Sequence, residues 1–287
     1  MDENTAPRRR GRLLAAGIAG AAALGLAVAG PAAADTADST ATAATLSLLG
    51  APALSSGPVT ANSDGTTTST SGDPTPSLSL LGTQNLITAG VLVQRATATP
   101  LGTSAACAGL VGSGGSLTIG ADGRCVVAPG TGQGVQIVLA GGLTPTVLKA
   151  DAIVASCSAA AGGTPTAGVR LVNAKVHRGA AVTATLADHA APGTTVSVPL
   201  VATLKLNSLG NPTPDGVSTS ALDLSLVGSL TTLSVGAVTC GPNARTVPTD
   251  ALPGPALPLA AAALVAVGLR LRRPVLQILD VKGTHRG

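Results

Sequence analysis

No phenylalanine, tyrosine or tryptophan occurs anywhere in the 287 residues. Their absence removes the rings on which unpaired bases stack and the flat apolar faces that cradle many sugars. Glutamate does not occur after Glu3, so only aspartates remain for paired-carboxylate chemistry, and they are scattered, mostly in turns. No Cys-x-x-Cys spacing exists, and between the two ends of the chain only His177 and His189 add soft ligands, which argues against a zinc site. What is abundant is small. Hydrophobic residues make up 45% of the chain and are almost all Ala, Val and Leu, alongside 37 glycines and 20 prolines. A core made from them must be filled by short and branched side chains.

Charge is sparse, at 10% of residues, and the formal net charge of +4 is unevenly placed. Residues 1–34 hold Arg8, Arg9, Arg10 and Arg12 against Asp2 and Glu3; residues 251–287 hold Arg270, Arg272, Arg273, Lys282 and Arg286 against Asp280. The stretch 35–250 between them has ten aspartates against eight lysines and arginines. The basic character therefore belongs to the ends, where it acts as a topology signal, and no basic patch marks a nucleic-acid partner.

Residues 8–34 (RRRGRLLAAGIAGAAALGLAVAGPAAA) place four arginines before an apolar stretch, Leu13 to Ala29, and a small-residue run after Pro31. That is the layout of a secretory signal peptide over 1–34, with cleavage expected between Ala34 and Asp35; an uncleaved membrane helix is the alternative. The arginine pair also fits twin-arginine export, but the phenylalanine usual in such signals is missing, which favours the general secretory route. At the other end a Pro-rich linker, 246–255, leads to an apolar run, Ala256 to Leu269, stopped by Arg270, Arg272 and Arg273. Fourteen helical residues reach about 21 Å, short of the roughly 30 Å hydrocarbon core unless flanking arginines snorkel. The expectation is a C-terminal membrane anchor over 256–273 with a cytoplasmic tail, 274–287; a helix in a soluble core is the alternative. Leu252-Pro253-Gly254-Pro255-Ala256 resembles a Gram-positive cell-wall sorting signal. Pro255 stands where a sortase would need threonine, which favours retention in the membrane over attachment to a wall.

Between the ends, 35–245 reads as one β-rich extracellular domain. Leu222, Leu224 and Leu226 alternate with Asp223 and Ser225; Val196, Val198 and Leu200 alternate with Ser197 and Pro199; Leu204 and Leu206 bracket Lys205. These are half-buried strands with one wet face, and Pro199 places its strand on an edge or at a bulge. Asp64-Gly65, Asp122-Gly123, Asn211-Pro212 and Asp215-Gly216 are turn dipeptides spaced as in an antiparallel β-sandwich. The expected fold is all-β, with helices only in the signal and the anchor. The Thr- and Ser-rich run 60–77 reads as a mobile or glycan-bearing loop. The phrase LSLLG at 46–50 and 78–82, echoed as LSLVG at 224–228, reads as a recurring way of ending a strand.

Cys107, Cys125, Cys157 and Cys240 all fall in this domain. An even count in an exported chain points to two disulfides, with three pairings open. Cys107 with Cys125 closes a glycine-rich excursion and Cys157 with Cys240 ties two strand ends; these are the favoured pairs. Catalytic equipment is thin. Gly-x-Ser-x-Gly does not occur, GSGGS at 112–116 reads as a flexible turn, and GTGQG at 130–134 lacks the lysine of a phosphate loop. Asp188-His189 is the one adjacent acid and imidazole, and neighbours on a strand point apart; His177 reads as solvated near a strand end. No catalytic, cofactor or metal residue is assigned, and no nucleotide partner is expected.

The phrases KADAIVASC (149–157), GTPTAGVRLVNAKV (163–176), ATLKLN (202–207) and STSALDLSL with TTLSVGAVTC (218–240) together resemble the actinobacterial exported proteins called choice-of-anchor P. The resemblance spans most of 40–245. It implies a secreted β-rich domain with a C-terminal anchor and no enzymatic role. This chain departs from it in the altered sorting motif and the tail after the arginines. Three functions stay open: a surface-displayed structural or interaction module, an adhesin or ligand-binding β-sandwich working through 60–77, and a hydrolase using Asp188 and His189. A cell-surface or matrix partner is expected for the first two.

Overall fold

The computed structural model describes residues 35–72, 85–228 and 230–244, and these belong to one compact unit. The signal segment up to Ala34, the second LSLLG phrase, the linker, the anchor run with Arg270, Arg272 and Arg273, and the tail lie outside the described residues. The described residues are all-β and every sheet is antiparallel. Among them no helix is long and apolar enough to cross a membrane.

The first sheet runs, neighbour to neighbour, β16 (Thr194–Val198), β17 (Ala202–Leu206), β18 (Val217–Leu226), β19 (Thr231–Cys240), β1 (Ala37–Leu48) and β2 (Ala51–Ser55), with β3 (Val59–Ser63) sharing the outer edge of β1. The second runs β13 (Thr166–Val172), β12 (Ala152–Ala160), β7 (Thr103–Val111), β6 (Val91–Ala98) and β4 (Ser69–Ser71). The third runs β15 (Ala181–Thr185), β14 (Lys175–Arg178), β11 (Thr146–Ala150), β10 (Val135–Ala140) and β5 (Ile87–Ala89). The last two share their strands. β5 passes into β6 through Gly90, β11 into β12 through Asp151, and β13 into β14 through Asn173 and Ala174. Gly90 has φ +112° and Asn173 φ +53°, backbone settings that turn a strand, and the Asn173 amide donates to the Asp151 carboxylate at 2.5 Å to fix the corner. Between β7 and β10 a hairpin is inserted, β8 (Ser116–Ile119) with β9 (Cys125–Ala128).

The layers meet over a core of Ala, Val, Leu, Ile and Cys that includes Leu46, Leu204, Leu222 and Val235 from the first sheet, Leu110, Ile153 and Leu171 from the second, and Ile137, Leu148 and Val176 from the third. Where β1 and β19 cross β7 and β12 the facing residues are Ala41, Ala43, Ala106, Ala108 and Ala155, with Gly236 among them. Small side chains let the sheets approach closely, so van der Waals contact is reached without rings.

The expected alternation holds in β17 and β18: Ala202, Leu204, Leu206, Leu222 and Leu224 are buried, whereas Thr203 and Lys205 are exposed. Two readings are corrected. β16 is the last strand of its sheet but ends at Val198; Pro199 and Leu200 form the following turn, closed by the Val201 N–H donating to the Val198 carbonyl at 3.0 Å. Proline second and a positive φ third (Leu200, +60°) make this a type II turn, so the proline interrupts no ladder. The run 60–77 is not one loop. Thr60–Ser63 complete β3 and Ser69–Ser71 form β4, because threonine and serine pack well on a pleated surface when a neighbouring strand is present. Deleting 60–77 would therefore remove two paired strands; residues 73–77 lie outside the described residues.

Polar side chains also join the layers: the Ser39 hydroxyl of β1 donates to the Thr97 carbonyl of β6 at 3.0 Å, and Gln94 makes a larger set of bonds. β1 pairs with β3 over Ala37–Ala41 and with β2 over Thr45–Leu48, leaving the Ala43 N–H between them without a strand partner. Gln94 of β6 reaches across and its Oε1 accepts from that N–H at 2.8 Å and from the Ser56 hydroxyl at 2.8 Å, while its Nε2 donates to the Gly57 carbonyl at 3.1 Å. The Ala43 N–H also has the Ser56 hydroxyl oxygen at 3.0 Å, so Gln94→Ala removes one of its two acceptors together with the donor to Gly57 and the packing, and we expect a loss of about 1 to 3 kcal/mol in urea unfolding. Gln94→Glu, which keeps the acceptor but loses the donor, should recover part of it; an unchanged midpoint for the alanine variant would show the bonds to be incidental.

Candidate functional site

The outer face of the second sheet is only partly covered. The hairpin β8–β9 lies over Val93, Cys107, Val111 and Val154, burying Leu117 among them. Its neck is made by the two glycine runs noted in the sequence. The Ser113 N–H donates to Gln133 O at 2.8 Å and the Gly132 N–H to Ser113 O at 3.1 Å, and a side chain on Gly130 would sit 2.0 Å from Ser113 O. GSGGS and GTGQG are thus a close backbone crossing, which only glycine permits. The Cys107–Cys125 disulfide pins the hairpin to β7.

Beside the hairpin an open groove of about 720 Å³ runs from β4 across β6, β7 and β12 to β13. Five strands at about 4.8 Å spacing make its floor roughly 19 Å long. Its lining mixes hydroxyls, among them Thr97, Thr99, Thr103, Ser158 and Thr166, with alanine methyls, with Arg95 from β6 and the 119–123 turn of the hairpin as one wall. Arg95 is half-buried, sharing its strand face with Val93 and Thr97 by the two-residue period. Among the described residues no carboxylate lies within ion-pairing distance of it, and its guanidinium makes no hydrogen bond. The one acid on the groove's lining, Asp122, is engaged by its own turn: it accepts from the Arg124 N–H at 3.1 Å and pairs with the Arg124 guanidinium at 3.6 Å.

A smaller trough continues on the far side of the hairpin, lined by Arg124, Val154, Ser156, Arg170 and His189. Here the adjacent acid and imidazole come together. Asp188 and His189 sit in the loop between β15 and β16 rather than on a strand, so their side chains converge to 3.8 Å, and Arg170 approaches Asp188 at 3.9 Å. The His189 Nδ1 lies 3.3 Å from the Val169 carbonyl, and no serine, threonine or cysteine is hydrogen-bonded to the ring. His177 sits on β14 opposite Val147 and Val182. Among the described residues no three of His, Cys, Asp and Glu are grouped to hold a metal ion. The Thr66 hydroxyl and amide both donate to Asp64 and hold its carboxyl below the ordinary range.

The disulfides form as the spacing favours, Cys107 with Cys125 and Cys157 with Cys240. The second joins β12 to the last residue of β19, across the two layers. Asp35 bridges to Leu101 and Thr36 to Ala244, so both ends of the described chain leave from one pole of the first sheet. The opposite pole, 12 residues of β1 or about 40 Å away, carries three turns bonded to one another: Leu49 N–H donates to Leu230 O, and Val227 N–H to Val201 O. Their tips expose Leu49, Leu200 and Leu230 at 78%, 94% and 68%. LSLLG at 46–50 and LSLVG at 224–228 are the ends of β1 and β18 at this pole. No family model, curated protein or solved structure matches the chain.

The groove escaped the sequence reading because its residues come from strands spread between Thr70 and Thr166, and single hydroxyls on alternating strands form no motif. The one available signal was Arg95, a charge in the otherwise apolar or uncharged strand VLVQRATA.

Proposed function

We propose that the protein is exported and held at the outer face of the cell membrane or envelope, displaying a non-catalytic, sandwich-like β-domain as an interaction module. The observation that carries this reading is the polarity of the fold: both chain ends leave at one pole, and the exposed aliphatic turn tips stand about 40 Å away at the other. A signal helix before Asp35 and an apolar anchor after the Pro-rich linker would tether the first pole and present the second. Two disulfides belong to oxidising compartments and support an address outside the cytoplasm. The resemblance to the choice-of-anchor P proteins supports the same reading.

Fractionation of producing cells, with intact-mass analysis under non-reducing conditions, tests it. The expected product sits in the membrane or envelope fraction, starts at Asp35 and lacks the four hydrogens that two disulfides remove. A cytosolic product starting at Met1 with free thiols would end the proposal. The groove favours a second reading, a ligand-binding β-domain, which is compatible with the same address.

A further inference from the structure

The geometry points to the groove beside the hairpin as a binding site for an anionic, hydroxyl-rich chain, a glycan or polyol polymer carrying carboxylate or phosphate groups. This rests on the ligand-binding reading and names its ligand class. Three features of the groove converge on that chemistry.

The first is Arg95. A guanidinium presents planar donors that match a carboxylate or phosphate in two parallel bonds. Arg95 is half-buried with no partner among the described residues, and Asp122, the only acid on the lining, is already engaged by Arg124. The groove thus holds one uncompensated positive charge. The second feature is the lining. The hydroxyls bond among themselves, Thr99 with Thr103 at 2.6 Å and Ser158 with Thr166 at 3.0 Å, while Thr97 donates to the Ser69 carbonyl at 3.2 Å; one proton of each pair and the remaining lone pairs are left for a ligand whose own groups donate and accept. The third is shape. The groove is open and long rather than enclosed, with a floor of roughly 19 Å, so it accepts a segment of a chain whose ends run on into solvent.

The missing aromatics set the strength. Without a ring to stack on, sugar faces contribute little, and neutral hydrogen bonds barely outcompete water. Discrimination must then come from the charge-assisted contact at Arg95, so affinity for one segment is weak and rises on a polymer or a crowded surface through multiple engagement.

The test uses the oxidised full chain, with oligogalacturonate, glycerol phosphate oligomer and a neutral dextran oligosaccharide of matched length as probes, read by calorimetry or surface resonance. At least one of the two anionic probes should bind about tenfold or more tighter than the neutral one, and the preference should shrink as salt rises from about 0.1 M to about 1 M. Which anionic probe wins identifies carboxylate or phosphate as the natural group. Arg95→Gln should abolish the preference, Arg95→Lys should retain part of it, and Arg178→Gln, on β14 outside the groove, should leave it intact. Equal binding of neutral and anionic probes, no binding to any of them, or an Arg95→Gln protein that binds like the parent while folded would overturn the proposal. Because the assay uses purified protein, its failure is separate from a failure of the export reading.

Discussion

Removing the inter-layer disulfide by Cys157→Ala with Cys240→Ala should lower stability by about 4 to 5 kcal/mol. The bond closes a loop of 83 residues, and loop-closure entropy for that length amounts to about 4.5 kcal/mol. Cys107–Cys125 closes only 18, for about 3 kcal/mol. Alanine is the right replacement because Cys157 and Cys240 are buried, and serine would add hydroxyls with nothing to bond. Urea unfolding of the two double variants should rank them in that order. Hydrogen exchange should separate them further. Loss of Cys107–Cys125 should deprotect β8 and β9 first, since the hairpin otherwise rests on the single small cluster around Leu117, while loss of Cys157–Cys240 should lower protection across both layers. Equal midpoints for the two variants would show that chain entropy is not how these bonds act. A domain of this size has about 5 to 15 kcal/mol in all, so the doubly reduced protein should stand close to unfolding.

Elements whose cause is local were readable in the chain. The alternation at 202–206 and 222–226 predicted which face is wet, because a period of two leaves no choice of face once the leucines are placed. The disulfide pairing was readable because 107–125 encloses a short glycine-rich excursion. What failed depended on neighbours distant in sequence. Thr60–Ser63 resembles low complexity until β1 lies beside it, and Ser69–Ser71 until β6 does. Pro199 looked like a strand residue because Leu200 continues the apolar alternation, yet Leu200 is turned outward at positive φ. The glycine runs at 112–116 and 130–134 carry opposite meanings alone and together: each is a flexible turn by itself, and their crossing makes a rigid neck. The three passages of strands between the second and third sheets, at Gly90, Asp151 and Asn173, were hidden for the same reason, since the Asn173 and Asp151 side chains that fix one corner meet only in the fold.

An aromatic-free core has one further consequence, which falls on Gly236. In β19 this residue has φ +69° and faces the second sheet, where an added Cβ would stand 2.7 Å from the Ala108 carbonyl oxygen and 3.1 Å from the Ala155 nitrogen. Both obstacles are backbone atoms of central strands, so neither can swing aside. Gly236→Ala should cost about 3 to 5 kcal/mol, of which the left-handed backbone accounts for about 1 to 2 and forced separation of the layers for the rest. Gly162 isolates the two contributions. It has nearly the same φ, +70°, in the turn between β12 and β13, and an added Cβ there meets nothing within 4 Å. Gly162→Ala should therefore lose only about 1 to 2 kcal/mol, and the difference between the two variants measures the close approach itself. Should they prove equally destabilised, the alanine-lined centre would be looser than the packing implies. Should Gly236→Ala fall below Gly162→Ala by the expected margin, the small residues at 41, 43, 106, 108 and 155 are what replaces rings in this core: they stabilise it by bringing two backbones into contact.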